Sequence, residues 1–339
     1  MDDGRAVVTE ESSGPAIEAI RGALAAWLGT LEPGLRERAT FPFESTERFA
    51  WDYRPGDRAG LALGAMDERQ QAAAGSIVAA SLSVRSAAEV AAIVSLEPVL
   101  GELERRNGRS GFERRDPDLY WFAVFGEPVA EGPWAWRFGG HHIAIEQTFV
   151  DGRLAGAAPS FLGANPAVVP AADWTGEWAG TRALTGEETL ARDLVRSLSP
   201  EQRRVAVVDP VAPPDIRSGI GRLAQFDGIP AGIRHDDLDP SQRESLEGLV
   251  RHYVDRSRPE LADEEWSRIV DASLASMTFA WAGPVEPGRG HYYAIRGPRT
   301  LIEYDDTQDG ANHIHAVWRD PTNDWGEDVL ASHYAAAHR

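Results

Sequence analysis

The apolar pattern of this chain changes its period after about residue 108, and this change limits the folds that the chain can adopt. Before that point, apolar residues recur at helical spacing over 16–31, and Ala, Leu and Glu dominate 66–84 and 86–108. After it, short aromatic and β-branched runs alternate with glycine, proline and Asp-Gly turn signals, which is typical of an antiparallel meander. These predicted strands cover 120–125, 135–138, 142–150, 291–295, 300–304 and 313–319.

The pattern predicts an α+β fold in which helices flank an antiparallel β-sheet and the N-terminal third is mostly helical. Further helices are predicted over 185–204, 239–257 and 261–277. We expect residues 1–14 to form a flexible N-terminus and residues 15–339 to form a single domain. The alternative is a helical part over 15–108 followed by a β-rich part over 109–339.

Charge and cysteine content exclude several classes of function. The chain has 34 Lys and Arg against 53 Asp and Glu, a formal net charge of −19, so we expect no nucleic-acid or membrane partner. It has no cysteine, so a bound metal must be held by histidine, carboxylate or other oxygen ligands. The acidic N-terminus and the lack of a long apolar run favour a cytoplasmic location, with secretion as the alternative if a leader was removed. The oligomeric state is left open.

Histidines are concentrated in the predicted strands. His313 and His315 are two residues apart and share one strand face, as do Glu303 and Asp305 on the preceding strand. A hairpin would bring these faces together and would supply imidazoles and carboxylate to zinc, iron(II), manganese or copper(II). We therefore predict a metal site with His313, His315 and Glu303 as ligands.

An earlier strand offers one more ligand. On a strand, the adjacent His141 and His142 must face opposite sides, and His142 shares the more polar face with Glu146. We therefore predict His142 as a metal ligand and keep His141 as the alternative. The competing interpretation of all these histidines is a buried hydrogen-bonded network that only fixes the sheet.

A site of this kind favours a metal-dependent enzyme acting on a small-molecule substrate. Iron or copper in an oxidoreductase or oxygenase is preferred, because nitrogen-rich ligands beside tryptophans suit redox metals and small or aromatic substrates. A zinc-dependent hydrolase or lyase and a non-catalytic small-ligand or metal-binding protein are the alternatives. Glu146 and Asp305 are the predicted catalytic carboxylates, as general base or as orienter of a ligand.

Substrate contacts are predicted from aromatic and arginine side chains near the candidate strands. Tryptophans and tyrosines bind apolar ligands, although they equally fill protein cores, and arginine binds carboxylates, although it equally pairs with aspartate. The predicted residues are Arg137, Trp136, Trp281, Tyr293, Trp318 and Arg319.

Several segments together resemble a known family. They are Trp-Ala-Trp-Arg-Phe-Gly-Gly-His-His at 134–142, Phe-Leu-Gly-Ala-Asn-Pro at 161–166, Phe-Ala-Trp-Ala-Gly at 279–283, His-Tyr-Tyr at 291–293, Leu-Ile-Glu-Tyr-Asp-Asp-Thr-Gln at 301–308 and Asn-His-Ile-His-Ala-Val-Trp-Arg-Asp at 312–320. In these segments the chain resembles the bacterial and fungal family catalogued as domain of unknown function 3500. The resemblance extends over about 41–334 and implies one continuous family domain. It implies no activity.

Overall fold

The computed structural model describes residues 13–327 and 330. All of the described strands belong to one 13-stranded, mostly antiparallel sheet, and helices pack against it. The predicted α+β fold is thus confirmed. The predicted flexible N-terminus lies outside the described residues, except for Ser13 and Gly14.

The N-terminal third is mostly helical, as predicted. Its helices are α1 (Gly14–Thr30), α2 (Pro33–Ala39), α3 (Glu68–Ser81), α4 (Val84–Ser95) and α5 (Glu97–Arg106). The start of α3 shows why helices begin where they do, because Asp67 and Gln70 form a reciprocal capping box. Helix α1 buries one apolar face, which includes Ile20, Leu24 and Trp27, in the main core.

The first meander follows these helices. Its strands are β1 (Thr40–Phe41), β2 (Leu61–Ala62), β3 (Tyr120–Phe125), β4 (Pro133–Gly140), β5 (Ile143–Val150), β6 (Arg153–Gly156) and β7 (Ser160–Ala164). The spatial order β1-β3-β4-β5-β7 is antiparallel except for the β1–β3 pair.

The second half adds helices and then a second meander. Its elements are α6 (Gly186–Ser197), α7 (Pro200–Ala206), β8 (Val207–Asp209), β9 (Ile233–Arg234), α8 (Pro240–Val254), α9 (Pro259–Asp271), β10 (Thr278–Ala282), β11 (Tyr292–Gly297), β12 (Thr300–Gln308) and β13 (His313–Arg319). The helix predicted over 185–204 is two helices, because Ser199 and Pro200 begin a new helix. The helix predicted over 261–277 ends earlier, at Asp271.

Strand β7 joins the two meanders, because it pairs with β5 on one side and β13 on the other. Helices cover one face of the sheet, and loop residues cover the other. Trp51, Tyr53 and Ile216, all from loops, pack there against Phe161 of β7 and Val317 of β13. Both faces of the central strands are therefore buried.

No helix within residues 13–327 combines the length and the apolar character needed to cross a lipid bilayer.

Candidate metal centre

His141 and His142 form the two-residue turn of the β4–β5 hairpin, whose last pair is Gly140 with Ile143. His142 has a φ of 63°, in the left-handed region that non-glycine residues seldom adopt. The prediction that these histidines lie on a strand and face opposite sides is wrong. Because turn residues do not alternate, the two rings stack with their centroids 3.8 Å apart.

The backbone of His142 is held on both sides. Its N–H donates to the carbonyl oxygen of Tyr53 (2.8 Å), and its carbonyl oxygen accepts from the N–H of Gly163 (2.8 Å). Gly163 must lack a side chain, because a Cβ there would lie 2.7 Å from the carbonyl oxygen of Ile314 and 2.9 Å from the His142 ring. The glycine thus lets β7 approach the imidazole.

His142, His313 and His315 converge where the two meanders meet. One ring nitrogen of each lies within 4.8 Å of those of the others. The Nε2 atoms of His142 and His313 are 2.9 Å apart, and the rings of His313 and His315 have centroids 4.6 Å apart. Two nitrogens bound at about 2.1 Å and at right angles to one ion lie about 3 Å apart, so this spacing suits metal ligation.

The electrostatic surroundings keep two of these imidazoles neutral, which is the form that binds metals. Burial, together with the neighbouring histidines, holds the pKa of His142 well below its usual value. Burial and the charge of His315 lower the pKa of His313 to about 3, although Asp309 opposes this shift. Each of these two rings therefore has one unprotonated nitrogen that can bind a metal.

Each strand histidine has an outer hydrogen-bond partner. The Nδ1 of His315 lies 2.7 Å from Oδ1 of Asp215, which leaves Nε2 for a metal. The Nδ1 of His313 lies 3.2 Å from Nδ2 of Asn165 and 3.4 Å from Oδ2 of Asp309. Burial raises the pKa of Asp215, but the hydrogen bond and charge of His315, together with hydrogen bonds from the Ile216 N–H and the Tyr53 hydroxyl, lower this pKa overall.

His141 belongs to a separate group of contacts. Its Nδ1 lies 2.6 Å from Oε1 of Glu97, and both ring nitrogens lie 3.3 Å from a guanidinium nitrogen of Arg115. Its carbonyl oxygen accepts from the Tyr120 hydroxyl (2.9 Å). His141 therefore lies beside the three histidines, but its ring nitrogens contact Glu97 and Arg115.

The histidines open into a cavity of about 380 Å³. Its wall is charged and polar. Among the described residues, Tyr53 is the one aromatic side chain of the wall besides the histidines. The charged side chains of the wall, apart from the histidines, are Arg54, Arg109, Arg115, Glu104, Asp215 and Asp309. Such a lining suits a small polar or charged molecule better than an aromatic one.

The two carboxylates of β12 that the sequence analysis selected, Glu303 and Asp305, have different surroundings in the structure. Glu303 is fully buried and accepts hydrogen bonds from the backbone N–H groups of Arg217 (2.6 Å) and Ser218 (2.9 Å), and from the Tyr292 hydroxyl (2.7 Å). Its oxygens therefore anchor a loop. Asp305 pairs directly with His315 across the strands, and burial raises its pKa to about 7.

Glu146 lies on the loop-covered face of the sheet, opposite Arg137 on β4. Neither of its oxygens has a hydrogen-bond partner among the described residues, and burial raises its pKa to about 8. Arg137 donates to the carbonyl oxygens of Glu47 (2.7 Å), Ala50 and Ala59 (3.1 Å). This pair therefore supports the loop that carries Tyr53.

The other predicted substrate-binding residues lie in packed regions. The indole of Trp136 donates to Gln147 (3.2 Å), Trp281 stacks on His291 (4.4 Å), and the Tyr293 and Tyr253 hydroxyls are 2.6 Å apart. Trp318 lies in the main core, and Arg319 pairs with Asp324 (2.8 Å). As far as the chain is described, the cavity wall contains none of Arg137, Trp136, Trp281, Tyr293, Trp318 and Arg319.

Sequence reasoning missed the residues that surround the histidines. Glu97 and Glu104 come from α5, and Arg109 and Arg115 from the loop after it, a region with no chemical signature in the sequence. Asp215 lies in a loop 100 residues before its partner His315. Asp309 could have been found from the sequence, because it precedes His313 by only four residues.

The family model described as "Protein of unknown function (DUF3500)" matches residues 13–327. No curated protein and no solved structure matches the chain significantly.

Proposed function

The chain belongs to this family of proteins of unknown function, DUF3500, and we propose that it is a metal-dependent enzyme whose ion is held by His142, His313 and His315. The convergence of three buried or nearly buried imidazoles from two meanders carries the proposal. A network that only fixed the sheet would pair the rings with donors and acceptors. The Nε2 atoms of His142 and His313 can share one hydrogen bond, but that bond does not account for the third ring, since a nitrogen of His315 converges on the same point.

We favour iron or copper and an oxidative reaction on a small molecule. Three neutral nitrogen ligands leave the full charge of the ion uncompensated, and imidazole is a good ligand for both metals. The ion would supply a binding position for dioxygen or substrate on the side of the cavity. The chain's own part would be to hold the histidines through Asp215 and Asn165, and to orient polar substrate groups with arginines such as Arg115.

Zinc with hydrolysis or elimination is the second candidate. The observation that favours it is the contact of Asp215 with Nδ1 of His315, since zinc-bound histidines commonly have a carboxylate at the other ring nitrogen. Zinc would supply activated water there, and Asp305 is the neighbouring carboxylate that would accept a proton. The third possibility, a protein that binds ligand or metal without turnover, is an outcome of the test.

Elemental analysis by plasma mass spectrometry tests the proposal. Tag-free protein purified without chelator is expected to carry at least one equivalent of a first-row metal, which His313→Ala loses. His235→Ala is the matched control, because its ring pairs with Glu247 and does not line the cavity. An equal metal content in His313→Ala and the wild type, or no metal after reconstitution, overturns the proposal.

The identity of the metal directs the assay for activity. Iron or copper calls for dioxygen consumption with a panel of small carboxylates, amines and phenols, and zinc calls for a panel of esters, amides and hydroxy acids. Turnover that the wild type shows and His313→Ala lacks supports an enzyme. Stoichiometric metal with no turnover in either panel favours a binding protein.

A further inference from the structure

We propose that a second divalent cation binds beside the three histidines, between Asp215, Asp305 and His315, in an inference that rests on the proposed function because the two sites share His315. One oxygen of each aspartate and one ring nitrogen of His315 lie within 4.8 Å of one another. This group is distinct from the three-histidine group in two of its three members.

The fold brings these side chains together through strand register and an anchored loop. Asp305 of β12 lies directly opposite His315 of β13, so both side chains project from one face of the sheet. Asp215 comes from the loop that Glu303 holds through the N–H groups of residues 217 and 218. The side-chain amide of Gln308 also donates to the carbonyl oxygen of Pro214 (3.2 Å), so the loop is fixed on both sides of Asp215.

Asp305 supplies an observation that points to a ligand. Its side chain is 0% exposed, and its Oδ1 accepts from the hydroxyl (2.8 Å) and the N–H (3.2 Å) of Thr307. Its Oδ2 has no hydrogen-bond partner among the described residues, and one oxygen of this carboxylate lies within 4.8 Å of an oxygen of Asp215. Buried carboxylates are usually paired with a cation or coordinate a metal, so an unpartnered oxygen beside Asp215 indicates a cation position.

The donors define the class of ion. Two carboxylate oxygens and one imidazole nitrogen suit zinc, manganese(II) or iron(II). The Nδ1 of His315 now lies 2.7 Å from Oδ1 of Asp215, and binding a cation at Nδ1 displaces the proton between them to solvent. His315 then gives one ring nitrogen to each ion, as a bridging imidazolate. The second ion thus locks the orientation of a ligand of the first.

Zinc stoichiometry separates the two sites. After removal of metal and reconstitution with Zn²⁺, the wild type is expected to hold two zinc ions per chain, and Asp305→Asn is expected to hold one. The asparagine keeps the side-chain volume and the acceptor for Thr307, and it removes the charge and the free oxygen. Glu146→Gln is the matched control, since it replaces a buried carboxyl group on the same sheet face by an amide and is expected to retain two zinc ions.

The outcomes distinguish this inference from the proposed function. One zinc ion in both the wild type and Asp305→Asn overturns the second site and leaves the three-histidine centre intact, with Asp215 acting only to orient His315. No zinc in either protein overturns both.

Copper loading of the wild type tests the shared imidazole without relying on the folding of a variant. Electron paramagnetic resonance should show a magnetically coupled copper pair, because an imidazolate bridge couples the two spins. A spectrum of isolated copper ions alone overturns the inference.

Discussion

Gly163 controls how close a neighbouring strand comes to the ring of His142. A Cβ at this position would lie 2.9 Å from the ring and 2.7 Å from the carbonyl oxygen of Ile314, so the ring or the strand must shift from its present position. We expect Gly163→Ala to weaken metal affinity by about 10- to 100-fold, the range seen when the supports of metal ligands are lost. Competition with a chromophoric chelator measures this change.

Gly139 in the same hairpin provides the control. A Cβ there would have its nearest neighbour, the carbonyl oxygen of Ile143, at 3.5 Å, which is an ordinary contact. Gly139→Ala should therefore bind metal like the wild type. Equal affinity in all three proteins would show that the position of the His142 ring does not limit binding.

Glu146 makes the stability of the protein depend on pH. Its pKa is about 8 in the folded protein and near the ordinary value of 4.5 in the unfolded chain, because burial penalises the charged form. The folded state therefore holds this proton more tightly, and the free energy of unfolding falls as pH rises from 4.5 to 8. At 1.36 kcal/mol per pKa unit, the loss approaches about 5 kcal/mol above pH 8.

Glu146→Gln removes the titration, so its free energy of unfolding should fall less than that of the wild type between pH 5 and pH 9. Urea denaturation at several pH values gives both slopes. The two proteins are compared by how steeply the free energy of unfolding changes with pH. Its absolute value is not compared, because burying the amide of Glu146→Gln adds a cost that is the same at every pH. Parallel curves would place the titrating proton on another group.

At the scale of elements, the β-periodicity of the sequence predicted both meanders, and it predicted that His313 and His315 share a face. It misplaced the β4–β5 turn, because Gly139-Gly140 is a turn signal, whereas the strand continues through both glycines and reverses at His141-His142. A histidine with a φ of 63° is an uncommon turn residue, and its position depends on the contacts with Tyr53 and Gly163. These contacts come from residues distant in the sequence, so no pattern in the sequence around His142 reveals the turn.

The loop after β8 is the element that Glu303 positions, although the sequence suggested Glu303 as a metal ligand. Both oxygens of Glu303 accept backbone N–H groups, from Arg217 and Ser218, and a glutamine can offer only one acceptor there. We expect Glu303→Gln to lose about 2–3 kcal/mol of stability, the cost of a buried unsatisfied donor, and to retain metal at the three histidines. Denaturant unfolding and elemental analysis provide the two measurements.

Tyr292→Phe is the matched change for Glu303→Gln. It removes the hydroxyl donor to Glu303 and leaves both loop contacts, so about 1 kcal/mol of stability should be lost. Metal that disappears from Glu303→Gln while the protein remains folded would restore Glu303 as a ligand.

At the scale of the molecule, the candidate centre lies at the junction of the two meanders. His142 comes from the first meander, His313 and His315 come from the second, and Asp215 comes from a loop that covers the sheet. The sequence indicated the histidines because their spacing is local. It could not indicate Asp215, Asn165 or the arginines of the cavity, because their proximity depends on strand order and on the packing of loops.

This position couples metal binding to global stability. An ion that binds the native state alone stabilises it by about 2.7 kcal/mol at a free concentration 100 times Kd, because unfolding separates the ligands of the two meanders. We expect added metal to raise the Tm by a few degrees, about 1–2 °C for each kcal/mol in a chain of 339 residues, and a chelator to reverse the rise. Calorimetry of the wild type and His315→Ala measures both effects. The variant should melt at the same temperature with and without metal, and an equal rise in both proteins would assign the stabilising ion to a site that does not use His315.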